Sequence, residues 1–390
     1  MKFARLCGRL SGLGSEKWAV HVEGRRRAAH GEAVIFLSIG EPDAPPPAAI
    51  MDAVSERMRA GRTRYASNRG EPDLLNALSR LYTQRSGRSI STRQFIFLPG
   101  TQTALFAAMN TVVDEGDEVL MADPYYATYE AVVASAGGTV APVRADPDRG
   151  FHLRASDLEK AITSRSRVLL LNSPSNPTGA VFTGEEIAAI GRVCAKHDLW
   201  IISDEVYATL TYGNHVFASP FDIAELEKRT VVVSSLSKSH ALPGFRMGWI
   251  AASEEFCDAA LNLTETMLFG SQPFLEDAAA FALDHQFPEV EAMKHAYERR
   301  ARTLVSGLKK SRKVSARMPE GGMFGMVDVR KTGLSGEAFA WRLLDEEKVV
   351  TMPGESFGAG GGGHLRVALT VDEEQIGEAC RRIVALAERI

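Results

Sequence analysis

The sequence predicts an α/β protein with a mostly parallel, doubly wound sheet of seven strands. Between about residues 35 and 250, short apolar runs alternate with stretches that repeat apolar residues at the helical period. Several runs are apolar throughout, as strands covered on both faces of a sheet are. Such alternation builds a parallel sheet with helices on both faces. The predicted strands are 94–98, 118–122, 139–143, 167–172, 199–204, 230–235 and 247–251.

Two stretches between these strands, residues 101–113 and 183–198, are predicted to be helices. In the first, the apolar side chains of Ala104, Leu105 and Ala108 fall on one face at the 3.6-residue period. An apolar face of this kind packs against a sheet, so both helices are expected to cover the predicted strands.

The pattern changes at about residue 289, after which a second, smaller α+β domain is predicted. A charged helical stretch leads to a strand-like segment, a helical pattern at 335–347 and a last strand at 364–369. The glycine run 358–363 is expected to be a mobile loop, since glycine favours the unfolded chain. With 390 residues the chain is long enough for two domains. The predicted division is a large domain at 41–289 and a small domain in which the N-terminal arm 1–40 joins 290–390.

The composition is that of an ordinary globular protein, with 45% hydrophobic and 24% charged residues. A net charge of −4 gives no reason to expect nucleic acid or an anionic membrane as a partner. No apolar run approaches the about 20 residues of a membrane-spanning helix. No continuous apolar stretch follows the basic N-terminal residues, so this segment is not expected to be a secretory signal. Cys7, Cys194, Cys257 and Cys380 lie far apart without a metal-like spacing, which is typical of reduced thiols in a cytoplasmic protein.

Polar and aromatic residues follow most of the predicted strands, at the edge where ligands bind in sheets of this kind. Each has a plain structural explanation, because glycine turns cap helices, aromatic rings pack, and buried acids form ion pairs. Together they could hold a phosphorylated, aromatic, protonated heterocycle linked to an amine, and pyridoxal phosphate is such a molecule. In chain order they are Gly100, Thr101, Gln102, Tyr125, Tyr126, Asn176, Asp204, Tyr207, Lys238 and Arg246.

Three motifs in fixed order and spacing carry a family resemblance. They are NPTG at 176–179, SDEVY at 203–207, and SxSKxxxxxGxRxGW at 235–249. The sequence resembles the class I/II aminotransferases, the fold type I pyridoxal-phosphate enzymes, over nearly the whole chain. It looks closest to arginine:pyruvate transaminase-like and aspartate aminotransferase-like members. The resemblance implies a ping-pong transfer of the α-amino group of an L-amino acid to pyruvate or 2-oxoglutarate.

The resemblance implies roles around the cofactor ring. Lys238 forms the internal aldimine and then acts as the base for the proton shift. Asp204 pairs with the pyridine nitrogen and keeps it protonated, which tunes the electronics of the cofactor. Asn176 and Tyr207 donate hydrogen bonds to the phenolic oxygen, and Tyr126 stacks on the ring.

It also implies the groups that hold the phosphate and the substrate. Arg366 grips the substrate α-carboxylate in a bidentate fork, with Gly40 beside it, and Asn176 is the third substrate-binding residue. Tyr65 reaches the phosphate from the neighbouring subunit, which implies a homodimer with shared sites. The phosphate is surrounded by Thr101, Gln102, Ser235, Ser237 and Arg246.

Substrate choice is less well determined. Gln102 stands where the dicarboxylate-specific bacterial enzymes carry a lysine, which argues against aspartate as the best substrate. Trp18 and His21 lie in an N-terminal segment that covers the active site in relatives, and they either touch substrate or simply pack. His240 receives no role.

Two other functions remain open. A fold type I β-lyase of the cysteine-S-conjugate type would use the same lysine, acid and phosphate-binding groups. A non-catalytic sensor domain of a transcription regulator is the more distant alternative. Such regulators carry an N-terminal helix-turn-helix domain, for which about forty residues before the IGEPD segment leave no room.

Overall fold

The computed structural model describes residues 1–14 and 16–390. Over these residues the strands are β1 (Ile35–Phe36), β2 (Phe95–Pro99), β3 (Glu118–Asp123), β4 (Thr139–Arg144), β5 (Ser166–Asn172), β6 (Trp200–Asp204), β7 (Thr230–Ser235), β8 (Met247–Ala251), β9 (Ser315–Ala316), β10 (Phe324–Asp328), β11 (Val349–Val350), β12 (Met352–Pro353) and β13 (His364–Ala368).

The helices over the same residues begin and end as follows. They are α1 (Arg5–Leu10), α2 (Ala19–Ala29), α3 (Ala48–Arg59), α4 (Pro72–Ser86), α5 (Thr101–Val112), α6 (Tyr129–Ser135), α7 (Ala155–Ala161), α8 (Gly184–Lys196), α9 (Leu236–Ser239), α10 (Glu254–Leu268), α11 (Pro273–Asp284), α12 (Pro288–Leu308), α13 (Gly336–Glu347) and α14 (Glu373–Arg389). In this part of the chain, no helix combines the length and apolarity needed to cross a bilayer.

The central sheet has seven strands in the order β2-β8-β7-β6-β5-β3-β4. Every neighbouring pair is parallel except those of β8, which runs antiparallel to both β2 and β7. Its reversal places the first residue of β8 at the same edge as the last residues of β5, β6 and β7. The predicted sheet is confirmed, and each predicted strand lies within two residues of an observed one.

Helices cover both faces of this sheet, because the side chains of its strands are apolar on both sides. In β2, Ile96 and Leu98 join the core under α5, α6 and α10, whereas Phe95 and Phe97 join the core under α3, α4 and α11. On the second face, α8 packs over β5 and β6 with α7 beside it. The fold class is therefore the predicted α/β class.

A separate four-stranded antiparallel sheet, β12-β13-β10-β9, packs with α12, α13 and α14. Val20 and Leu37 from the N-terminal part of the chain join the same core, and β1 pairs with β11. Helix α1, by contrast, packs against α6 beside the central sheet. The arm 1–40 thus contacts both the core of the small sheet and a helix beside the central sheet.

The glycine run 358–363, expected as a mobile loop, packs tightly beside the end of β3. The backbone N–H of Gly360 donates to the Asp123 carboxylate at 2.9 Å. A Cβ atom at Gly358 would lie 2.2 Å from Asp123 Oδ1. Because glycine has no side chain, these residues allow the backbone to approach the Asp123 side chain closely.

Candidate active site

A cavity of about 430 Å³ opens at the carboxyl edge of the central sheet and reaches the sheet that contains β13. Of the sequence-predicted site residues, the structure brings into its lining Gly40, Thr101, Gln102, Tyr126, Asn176, Asp204, Tyr207, Ser237, Lys238, Arg246 and Arg366. Ser235 and Tyr65 are outside the lining. Residues that the sequence reasoning did not select also line it, among them Glu41, Tyr129, Asn172 and Phe324.

Asp204 ends β6 and is 4% exposed. Burial is the main reason that the pKa of its carboxyl is raised, to about 6. The Tyr129 hydroxyl donates to Oδ2 at 2.7 Å, and the backbone N–H of Val206 donates to Oδ1 at 3.2 Å. This carboxylate is therefore fixed in orientation and favours a cationic partner inside the cavity. The sequence analysis did not select Tyr129. It is the last aromatic residue of PYYATY, and its type and its spacing from Tyr126 were the signals that could have indicated it.

Lys238 lies on α9, the single helical turn that follows β7. Its Nζ donates to the carbonyl oxygen of Gly40 at 2.7 Å. Burial lowers the pKa of Lys238 to about 8, with the charges of Arg366 and Arg246 acting in the same direction and Glu41 opposing them. A lysine with a lowered pKa offers a larger fraction of neutral amine, which is the nucleophilic form.

The start of α5 faces the guanidinium of Arg246. Gly100 precedes the helix at φ 82°, and a Cβ there would lie 2.1 Å from an Arg246 nitrogen. The Thr101 hydroxyl donates to the Ser235 hydroxyl at 2.8 Å, and Ser235 accepts the backbone N–H of Ser237 at 3.3 Å. Ser235 thus supports Thr101 and Ser237 from behind the lining. Free N–H groups at a helix start, hydroxyls and a guanidinium form a suitable phosphate site.

Arg366 lies on β13 and is 1% exposed. Its guanidinium donates to Asn176 Oδ1 at 3.0 Å and to the carbonyl oxygen of Ser38. It lies 4.2 Å from the ring centre of Phe324 and 4.5 Å from that of Phe357. Burial lowers its pKa to about 10, and among the described residues its Nε has no partner. A buried cation with an unpaired N–H is costly, and a substrate carboxylate would complete its bonding.

Two asparagines, Asn176 and Asn172, connect Arg366 to Asp204 through hydrogen bonds. Asn172 donates to the backbone carbonyl of Asp204 at 2.9 Å and accepts the backbone N–H of Asn176 at 2.7 Å. Tyr207 is buried, which raises the pKa of its phenol. The phenol therefore stays protonated and can donate a hydrogen bond into the cavity.

The structure locates three aromatic residues without an assigned role, Trp18, His21 and His240, and also Tyr65. Trp18 lines the cavity with its ring 5.9 Å from the Arg366 guanidinium carbon. His21 shares a 2.8 Å hydrogen bond with the Ser38 hydroxyl. His240 bonds to Ser239, and burial lowers its pKa to about 4, so it is neutral. Tyr65 is 83% exposed and packs edge-on against Phe269, away from the cavity of its own chain.

The donor set fits pyridoxal phosphate, the cofactor predicted from the sequence. The cavity combines an anion site between α5 and Arg246, a buried carboxylate at Asp204 and an amine of lowered pKa at Lys238. Tyr126 also lines the cavity, with its ring perpendicular to that of Tyr129 and the ring centres 5.5 Å apart. These groups match the phosphate, the ring nitrogen, the aldehyde and the ring face of the cofactor.

Comparison with known proteins leads to the same chemistry. The family model for aminotransferases of class I and II matches residues 32–383. The chain is 41% identical to the arginine–pyruvate transaminase AruH of Pseudomonas aeruginosa, over 100% of this chain and 99% of that protein. It is 32% identical to the aspartate aminotransferase of Bacillus subtilis, over 99% of both. The solved aspartate aminotransferase from Rhizobium meliloti superposes with a TM-score of 0.94 at 27% identity, over 100% of this chain and 99% of that one.

The predicted function class and cofactor are therefore confirmed. The protein is a transaminase that uses pyridoxal 5′-phosphate, and amino acids and 2-oxo acids are its class of substrate. The chain belongs to the family of class I and II aminotransferases.

Proposed function

We propose that this transaminase moves the α-amino group of L-arginine to pyruvate. The observation that carries the proposal is the charge of the cavity lining. Among the lining residues in the described part of the chain, the cations are Lys238, Arg246 and Arg366, and each already has a task in cofactor or α-carboxylate binding. Gln102 adds no charge, so the lining lacks a cation for a second substrate carboxylate. The similarity to an arginine–pyruvate transaminase supports the same choice of substrate.

When bound, pyridoxal phosphate supplies an electron-withdrawing ring that stabilises the negative charge formed at the substrate Cα. Asp204 would hold the proton on the ring nitrogen, and the 2.7 Å bond from Tyr129 keeps this carboxylate in place. Lys238 Nζ would take up the α-proton, because a pKa lowered to about 8 leaves part of the amine neutral near neutral pH. Asn176 and Tyr207 would hold the phenolic oxygen, and Tyr126 would cover one ring face.

The remaining predicted residues bind the ends of the two molecules. The phosphate is held by Thr101, Gln102, Ser237 and Arg246, with Ser235 supporting the first and third of these. The substrate carboxylate pairs with Arg366 beside Gly40. A fixed guanidinium orients the Cα–H bond relative to the ring, and this orientation decides which bond breaks.

We also propose that the reaction follows a ping-pong mechanism. We propose further that the protein is a homodimer in which Tyr65 of each subunit reaches the phosphate in the site of the other. The exposed Tyr65–Phe269 pair, which lies outside the cavity of its own chain, supports a role at an interface. Free cysteines at positions 7, 194, 257 and 380 support a cytoplasmic location. The domains at 41–289 and at 290–390 with the arm 1–40 remain our proposed division.

A donor and acceptor screen of the holoenzyme tests the substrate proposal. L-Arginine and L-aspartate are each offered with pyruvate and with 2-oxoglutarate, and kcat/KM is measured for all four pairs. We expect arginine with pyruvate to give the highest value. A higher kcat/KM for aspartate with either acceptor would overturn the proposed substrate while leaving the reaction class intact. Release of pyruvate and ammonia from a β-substituted amino acid, without amino transfer, would indicate a lyase.

A further inference from the structure

Residues 38–41 form a short segment beside the groups that hold the substrate. The carbonyl oxygen of Ser38 accepts from Arg366, which holds the substrate carboxylate. Two residues later, the carbonyl oxygen of Gly40 accepts from Lys238 Nζ at 2.7 Å, where the reacting amine is located. Glu41 is the next residue along the segment, about 3.8 Å further between Cα atoms. The segment thus passes the carboxylate-binding group, then the amine, and then presents an acidic side chain.

This segment is held rigidly against the second sheet. The hydroxyl of Thr370 donates to the carbonyl of Ile39 at 2.9 Å, and the backbone N–H of Ala368 donates to the carbonyl of Leu37 at 2.8 Å. A Cβ at Gly40 would lie 2.2 Å from the ring of Phe324, so the backbone is packed directly on that ring. A side chain on such a support begins from a fixed point, which lowers the entropic cost of binding a ligand.

The Glu41 carboxylate is the uncommitted acid of the cavity. The acids in the lining are Glu41 and Asp204, and Asp204 is buried and bonded to Tyr129. Glu41 is exposed, and within the described residues its carboxylate makes no hydrogen bond or ion pair. Asp43, two residues on, is by contrast paired with Arg300 at 2.7 Å. The negative charge of Glu41 acts on Lys238, where it raises the pKa of the amine and so favours its protonated form.

We propose that Glu41 is a specificity-determining residue that binds the guanidinium of the substrate arginine. The inference rests on the proposed function, because it concerns how the same cavity selects its amino donor. With the α-carboxylate on Arg366, a long cationic side chain that extends along the segment meets the Glu41 carboxylate. A carboxylate can accept two parallel N–H groups from a guanidinium, which gives both charge and shape recognition.

A neutral analogue of the substrate separates this role from a general effect on Lys238. L-Citrulline has nearly the shape of L-arginine but carries an uncharged urea group. If Glu41 acted only by tuning the amine of Lys238, replacing it would change the turnover of both donors by the same factor. If it binds the guanidinium, the replacement changes arginine turnover alone.

The test measures kcat/KM for arginine and for citrulline, with pyruvate as acceptor, in the wild-type holoenzyme, Glu41→Gln and Glu225→Gln. Glu225 is a matched control because it is exposed, lies outside the cavity and is without an ion pair in the described structure. For Glu41→Gln we expect about a 10-fold loss with arginine, the size of one hydrogen bond to a charged group, and less than about a 2-fold change with citrulline. The control should keep the wild-type ratio of the two donors.

Two results would overturn the inference, and they are distinguishable. A Glu41→Gln enzyme that keeps the wild-type arginine:citrulline ratio removes the role of Glu41 while the proposed substrate stands. A wild-type enzyme without arginine turnover removes both the proposed substrate and this inference. The wild-type preference for arginine should also fall as salt is raised, since the contact joins charges at an exposed position.

Discussion

Replacement of Tyr129 by phenylalanine should weaken cofactor binding through Asp204. The hydroxyl that donates to Asp204 Oδ2 at 2.7 Å is lost, while the ring that packs beside Tyr126 remains. A hydrogen bond to a charged group contributes about 1.5–3 kcal/mol, and each pKa unit corresponds to about 1.4 kcal/mol. The pKa of Asp204, already raised to about 6 by burial, should therefore rise further in the cofactor-free protein.

A protonated Asp204 lacks the negative charge that pairs with the protonated ring nitrogen. We therefore expect Tyr129→Phe to bind pyridoxal phosphate about 2- to 10-fold more weakly at pH 7, with a smaller deficit at pH 8.5, where more of the carboxylate is ionised. The dissociation constant is measured by the quenching of tryptophan fluorescence as cofactor is added to the cofactor-free enzyme. Transaminase activity is then measured from pH 6 to pH 9. In Tyr129→Phe, the rise of activity on the acidic side of this profile should shift to higher pH.

Tyr125→Phe is the matched control for this experiment. The Tyr125 hydroxyl also donates to a carboxylate at 2.7 Å, that of Glu130, but it lies outside the lining of the cavity. The control should bind cofactor like the wild-type enzyme. The reasoning is refuted if Tyr129→Phe keeps wild-type affinity at pH 7, or if Tyr125→Phe loses as much.

Three further substitutions test other parts of the structure. Lys238→Ala should abolish catalysis and the absorbance band of the covalent link between lysine and cofactor, while far-ultraviolet circular dichroism stays unchanged; full activity would contradict the assigned role. Arg366→Lys should raise KM for the amino acid by about 10- to 100-fold, because lysine lacks the bidentate fork, with cofactor affinity retained as the check. The ring nitrogens of His152 lie 2.9 Å from the Glu186 carboxylate and 2.8 Å from that of Glu320. Both nitrogens can donate a hydrogen bond only in the imidazolium form. The bond to Glu320 is the main reason that the pKa of His152 is raised. A raised histidine pKa contributes stability that is present below about pH 6.5 and is lost as pH rises through the folded-state pKa. His152→Gln should therefore lower the free energy of unfolding, measured in urea, by about 1 kcal/mol at pH 6 and by little at pH 9.

The central sheet could be predicted from sequence because its strands are buried on both faces. A run such as TVVVSS contains three consecutive valines and no charged residue, and all six of its residues are buried in β7. Strand direction has no such signature, because a period of residues does not tell which way a strand runs. The antiparallel direction of β8 therefore became known only from its pairing with β2 and β7.

Within the site, motif residues were predictable and their supporting neighbours were not. Asp204 and Lys238 follow apolar strands, where an ionisable side chain is conspicuous. Tyr129 is an aromatic residue at the start of a helix, a type and place equally consistent with packing, so only the position of its hydroxyl shows the bond to Asp204. Glu41 looked like any exposed acid, and its relevance depends on the carbonyl of Gly40 lying against Lys238. Both require knowledge of contacts between distant parts of the chain.

The contacts of residues 37–39 with β13 and with Thr370 just after it have a consequence for how the protein is made. Ile39 and Thr370, joined by a 2.9 Å bond, are 331 residues apart in sequence. During synthesis the cofactor-binding groups from Thr101 to Arg246 leave the ribosome before Arg366 exists, whereas Ser38 and Gly40 must wait without their partners. Contacts between such distant residues form late, since their loop-closure entropy is high. The nascent chain should therefore acquire most of its cofactor site before it can hold an amino acid.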